Sequence, residues 1–183
     1  TSAAQEIVRF GGILWEKNLT VGCSGNMSIR ITGEEGIAIT ATETSLGFLT
    51  GENVVHVDLN GTVIKGGRPS SEQALHRAIY QRLPDARAVI HVHSVFANAF
   101  FLKHQNLKPR ILESRYVLGE VPVLDQKTLT VEDAEPVVDA LKKHKIVHLR
   151  YHGSLARGKD LMECLMLLQA LEYAAQVELL AGA

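Results

Sequence analysis

No part of this 183-residue chain is apolar for long enough to span a bilayer, which takes about 20 consecutive residues. Residues 1–19 carry Glu6, Arg9, Glu16 and Lys17. They are therefore expected to form neither a signal peptide nor a membrane span. Cysteine is scarce: Cys23 and Cys164 lie far apart and make no CxxC pair. That argues against a disulfide scaffold and for a reducing, cytoplasmic setting. Charge of one sign is also lacking. Lys and Arg number 19 against 20 Asp and Glu, a formal net charge of −1. A nucleic-acid partner, which calls for a basic patch, is not expected. Repeats, low-complexity tracts and linkers are absent from the sequence. With 46% hydrophobic and 21% charged residues, the composition is that of one ordinary globular domain over residues 1–183.

Apolar spacing at Ala3, Ile7, Phe10 and Leu14 predicts a helix over residues 3–18, weakened by Gly11-Gly12 at about 1 kcal/mol per glycine. Gly22-Cys23-Ser24-Gly25 ends it. Residues 27–31 and 36–40 read as strands about a turn at Gly33-Glu34-Glu35. Residues 54–58 and 62–65 read as a hairpin on Asn60-Gly61. Ser70 or Ser71 suits the cap of a helix to about Leu83, and residues 88–93 form a buried strand. Ser94 is placed to cap a short helix to about His104. Val121–Leu124 reads as an edge strand because of Pro122. Thr130 is taken as the cap of a helix to about His144, with Asp133 in the capping box. A strand over 145–151 and a long helix over 159–180 complete the chain. Hairpins mixed with helical connections predict a mixed sheet with helices on both faces.

His91-Val92-His93 is the most telling local pattern. Residues i and i+2 of a strand point to one face, so both imidazoles project together. His152, at the end of another apolar run, is the third candidate, and Glu72, at a helix start, supplies a carboxylate. Three imidazoles and one carboxylate suit a divalent cation such as zinc. The plain alternatives are satisfied core histidines and a glutamate favoured by the helix dipole. His148, four residues before His152, is expected on the same side but deeper, and His76, four after Glu72, is expected to support or pack against it. His56, His104 and His144 have no such context. The helix start at Ser70-Ser71 also suits an anion.

These pieces occur in order: Gly25-Asn26-Met27-Ser28-Ile29-Arg30, Thr40 to Gly47, Pro69-Ser70-Ser71-Glu72, Pro84 to Ser94, and His152-Gly153. Together they resemble the class II aldolase/adducin family over about residues 7–177. The resemblance implies an α/β/α sandwich around a mostly antiparallel mixed sheet. It also implies zinc, or another divalent metal such as Mn2+ or Co2+, on His91, His93 and His152, with Glu72 as resting-state ligand and acid/base. Gly25, Asn26, Thr42, Ser70 and Ser71 would match the phosphate-binding positions. The implied assembly is a homotetramer with active sites at subunit boundaries, and the implied reaction is aldol chemistry through a metal-bound enediolate without a Schiff base. The expected substrate is a small sugar-like hydroxy-carbonyl compound, a ketose phosphate.

Two departures stand out. Glu43 occupies the place of a glycine in the phosphate loop, where an ionised carboxylate would repel a dianion unless it swings outward to Arg30 or to another subunit. Glu113 falls near the place of a tyrosine acid, with Tyr116 close by, and is the candidate second acid/base; a surface carboxylate paired with Arg110 or Arg115 is the alternative. Glu113 keeps an epimerase, dehydratase or decarboxylase open as the reaction. Adducin-type modules share the fold without catalysis, but they generally lack the metal ligands present here.

Overall fold

The computed structural model describes residues 2–31, 33 and 36–182. Helix α1 (Ala3–Glu16) leads into strands β1 (Asn26–Arg30) and β2 (Gly36–Thr40). Two short 3-10 turns (Leu46–Phe48 and Gly51–Asn53) precede the hairpin β3 (Val54–Asp58) and β4 (Val63–Lys65). Then come α2 (Gln73–Arg82), β5 (Ala88–Val92), α3 (Val95–Phe101), α4 (Leu112–Leu118), β6 (Val123–Asp125), α5 (Glu135–Lys143), β7 (Ile146–Arg150), β8 (Gly153–Gly158) and α6 (Leu161–Leu180). The strands form one eight-stranded sheet in the order β4-β3-β2-β1-β5-β8-β7-β6. Every neighbouring pair is antiparallel except β6 with β7.

Alternation along the strands sorts side chains into two cores. Ala88, Ile90 and Val92 of β5 enter the core shared with α1, α3 and α6. Val89 enters the opposite core, built with Leu75 and Ile79 of α2 and Val138 and Leu141 of α5. Helices thus cover both faces, as the expected three-layer sandwich requires. His91 shares the parity of Val89, so it points toward α2.

Four local outcomes differ from the sequence reading. Helix α5 starts at Glu135 rather than after Thr130. An earlier start would have put Pro136 in the helix interior, where it removes a hydrogen bond and clashes with the preceding turn. Asp133 still accepts from the Glu135 N–H at 3.0 Å. Strand β8 and helix α4 were not anticipated: β8 reads Gly-Ser-Leu-Ala-Arg-Gly, a sequence without strand patterning, yet it is buried throughout. Helix α3 ends at Phe101, short of His104, and its Phe96 and Ala97 N–H groups donate to the Glu172 carboxylate of α6 at 2.9 and 2.8 Å. Glu34 and Glu35 of the expected turn lie outside the described residues; Gly33 has a left-handed φ of 80°.

Gly11 does not weaken α1 without reason. A Cβ there would sit 2.3 Å from the Leu46 carbonyl oxygen, so the glycine lets the helix lie directly on the 3-10 turn. Gly11→Ala is expected to cost about 1–3 kcal/mol by overpacking, read in urea melts, whereas Gly12→Ala, with open space around it, is expected to lose no stability.

Candidate active site

Antiparallel pairing sets Asn26 of β1 directly opposite His91 of β5. β8 lies on the other side of β5, and the turn before it carries His152. His152 N–H donates to the Leu149 carbonyl at 3.0 Å, closing a β-turn whose third residue, Tyr151, has φ 66°. A non-glycine residue in that region is strained, by about 1–3 kcal/mol, and such strain gathers at functional sites. The turn breaks strand register between His148 and His152. His148 therefore does not lie on the side of His152, where it was expected one step deeper: its ring stacks on Phe101, and its Nδ1 and the Ser154 hydroxyl are hydrogen-bonded at 2.9 Å.

The other three histidines converge. One ring nitrogen from each of His91, His93 and His152 lies within 4.8 Å of the others. Gly153 makes this possible, since a Cβ there would lie 2.9 Å from His93 Cδ2 and 3.1 Å from His91 Nε2. Glu72, 4% exposed, sits just ahead of α2 and reaches the same point. Its Oε2 accepts from His91 Nδ1 at 2.5 Å and from the Asn26 amide at 2.9 Å. Its Oε1 lies 3.4 Å from His152 Nε2.

Two buried atoms of this cluster, Glu72 Oε1 and His91 Nε2, have no hydrogen-bond partner. In the neutral tautomer that donates through Nδ1, His91 Nε2 keeps a lone pair. An acceptor oxygen and an acceptor nitrogen without donors, beside two further imidazoles, fit a divalent cation. Burial alone would raise the Glu72 carboxyl, but the attraction of the His91 ring and its hydrogen bond, the nearby His152 and the Asn26 amide outweigh it and hold the group well below the usual carboxylate range. Burial lowers His93 to about 3, helped by His91 and His152, so it is present as the neutral imidazole that ligation needs.

A cleft of about 250 Å³ opens over the cluster. Gly25, Asn26, Thr42, Glu43, Ser70 and Ser71 all line it, together with Glu72, His93 and His152. Gly25 has φ 86°, and a Cβ there would meet the His91 carbonyl oxygen at 2.8 Å. Ser70 does not cap α2; its hydroxyl accepts from the Glu72 N–H at 3.2 Å and so fixes the backbone that carries the buried carboxylate. Glu43 is exposed, with φ 59°, a glycine-like backbone retained under a glutamate side chain. Arg30 is not its partner: the guanidinium bonds the Tyr80 and Ala86 carbonyls and lies over the Tyr80 ring. Glu113 is placed elsewhere. It lines a groove between α4 and α6 with Met166 and Tyr173, while Tyr116 is 91% exposed. Leu129 and Cys23, which the sequence did not single out, also line the cleft; only a long-range contact brings Leu129 there, so no local pattern marks it.

Residues 5–179 match the family model described as the Class II Aldolase and Adducin N-terminal domain. The chain is 36% identical to an L-fuculose phosphate aldolase of Methanococcus maripaludis, over 94% of this chain and 93% of that one. It is 34% identical to a methylthioribulose-1-phosphate dehydratase of Acidiphilium cryptum, over 97% and 90% of the two chains. The crystal structure of an L-fuculose-1-phosphate aldolase from Thermus thermophilus superposes with a TM-score of 0.88 at 34% identity, covering 98% of this chain and 93% of the other.

Burial also holds His76 down to about 4 and His148 to about 3, against an ordinary value of 6.5. The unfolded chain therefore binds more protons than the folded one between those values. Stability is expected to be full above about pH 6.5 and to fall steadily as the pH drops toward 3, in melting temperatures recorded across that window.

Proposed function

Because this chain belongs to the class II aldolase and adducin family, we propose that it is a metal-dependent aldolase acting on a small hydroxy-carbonyl sugar, a ketose phosphate, and that its resident ion is zinc. The observation that carries the reading is the pair of buried, unpartnered atoms Glu72 Oε1 and His91 Nε2 beside His93 and His152. His91, His93, His152 and Glu72 would hold the ion, which when bound supplies a Lewis acid to polarise the substrate carbonyl.

The chain's own residues supply the rest. In the direction of addition, Glu72 takes a proton from the hydroxyl-bearing carbon beside the carbonyl. The electron pair left on that carbon attacks an aldehyde, a C–C bond forms, and an acid returns a proton to the new alkoxide. Cleavage is the reverse. His91 and Asn26 grip Oε2 throughout, which leaves Oε1 to accept the proton. A carboxylate held so far below its usual range is a weak base, so substrate must displace or desolvate it before it acts. No lysine lines the cleft among the described residues, in keeping with a route that needs no Schiff base. Hydroxyls of Thr42, Ser70 and Ser71 are placed to receive the non-reacting end of the substrate. Glu113 would serve as the second acid/base only from a neighbouring subunit, consistent with a tetramer whose sites lie at subunit boundaries.

A dehydratase is the second reading, favoured by the relative of that name and by a carboxylate rather than a tyrosine at position 113. Product analysis separates the two: an aldolase releases two carbonyl fragments, a dehydratase one product and water. Two carbonyl fragments from a ketose phosphate are the expected result, with Glu72→Gln lowering kcat at least about 100-fold while the fold and most of the metal remain. Unchanged turnover in that variant would remove Glu72 from the chemistry. For Glu43→Gly, KM for phosphorylated ketoses is expected to fall about fivefold as an exposed like charge is removed. An unchanged KM would mean that the side chain points away from the anion.

A further inference from the structure

Glu72, His76 and Tyr80 follow one another at steps of four. Four helical residues rise about 6 Å and two strand residues about 6.6 Å, so side chains four apart on α2 stay in step with side chains two apart on β1. Asn26 and Ser28 of β1 are the matching positions, on the sheet face that carries His91. The result is an unbroken line of hydrogen bonds. Tyr80 donates to the Ser28 carbonyl at 3.0 Å, with its oxygen 2.9 Å from the Ser28 hydroxyl. The Ser28 hydroxyl lies 2.6 Å from His76 Nδ1, and His76 Nε2 lies 2.6 Å from Asn26 Oδ1. Asn26 Nδ2 then donates to Glu72 Oε2. Ser28 and His76 are fully buried, and Tyr80, Asn26 and Glu72 nearly so. Leu75, Ile79 and Val89 belong to the same apolar core as Tyr80.

Two proton arrangements satisfy such a line when the His76 ring is neutral. In one, the Ser28 hydroxyl donates to Nδ1, Nε2–H donates to the Asn26 carbonyl, and the Asn26 amide nitrogen faces Glu72. In the other, the His76 ring donates through Nδ1 to the Ser28 hydroxyl and accepts at Nε2 from the Asn26 amide nitrogen, and the Asn26 carbonyl oxygen is turned against the carboxylate. An ionised Glu72 accepts and cannot donate, so it selects the first. Burial keeps His76 neutral, at about 4, which leaves Nδ1 free to accept.

We propose that His76 is a positioning residue for catalysis: fixed as the Nε2–H tautomer by Ser28, it locks the Asn26 amide with nitrogen toward Glu72, so that Oε2 is held and Oε1 alone is free to take the substrate proton. This rests on Glu72 being the acid/base. Without the lock, the amide can rotate and set oxygen against oxygen. That raises the carboxyl's proton affinity and displaces it from the reacting carbon.

The test begins with the zinc-loaded protein labelled with 15N in histidine, the His76 signals being identified from their loss in His76→Gln. At neutral pH the expected pattern is a protonated Nε2 and a bare Nδ1. A protonated Nδ1, or an imidazolium, overturns the proposal. Ser28→Ala removes the donor to Nδ1 at little change in volume. It is expected to lower kcat about tenfold, leave KM within about twofold, and raise the acid limb of the kcat–pH profile by about one unit, with zinc content unchanged. His76→Gln, which keeps an N–H for Asn26, is expected to retain more kcat than His76→Leu. A folded Ser28→Ala with wild-type kcat and wild-type pH profile overturns the proposal even if His76→Leu fails to fold. If the wild-type protein cleaves no ketose, the aldolase reading fails, while the tautomer measurement still decides the hydrogen-bond line.

Discussion

A single carboxylate oxygen, Glu72 Oε2, is shared between His91 on β5 and Asn26 on β1, all three residues buried. An isolated carboxylate in such a place would take up a proton, because burial disfavours its charge. Donors converging from two strands reverse that outcome. The cluster is thus electrostatically consistent only when β1 and β5 are in register and α2 lies across them. Sheet order, helix placement and the ionisation of one side chain are the same constraint seen at three scales.

The histidine cluster was legible because it is written in local patterns. His91-Val92-His93 needs only strand parity to bring two rings to one face, and Pro69-Ser70-Ser71-Glu72 sits where a helix begins. The three-layer architecture followed from strands alternating with amphipathic helices. The expected phosphate positions also lie together, on one cleft. What stayed hidden depended on partners distant in sequence. Strand β8 lacks alternation because both of its faces are covered, and Ser154 and Arg157 are buried through bonds to His148, Asp85 and the Leu141 carbonyl. His148 was misplaced because strand parity was extended past a turn that only Tyr151's left-handed backbone reveals. Glu113 lines a groove between α4 and α6 of its own subunit, a placement that no local pattern in the sequence marks.

The polar line from Tyr80 to Glu72 occupies a helix–sheet interface that apolar side chains would fill with less risk. Every polar atom of the line but Glu72 Oε1 is satisfied, and such a network in a low-dielectric interior specifies one geometry more sharply than apolar packing does. The neighbouring Leu75, Ile79 and Val89 supply the cohesion, leaving the polar side chains to set orientation.

β8 is the last strand in the chain, yet it lies between β5 and β7 rather than at an edge. Until it is made, β5 has no neighbour on that flank and His152 cannot reach the other two rings. A polypeptide emerging from the ribosome therefore carries an open seam down the middle of its sheet until residues 153–158 arrive. The three imidazoles meet only with that closure, so a cation held by all three would bind a protein whose sheet is already complete.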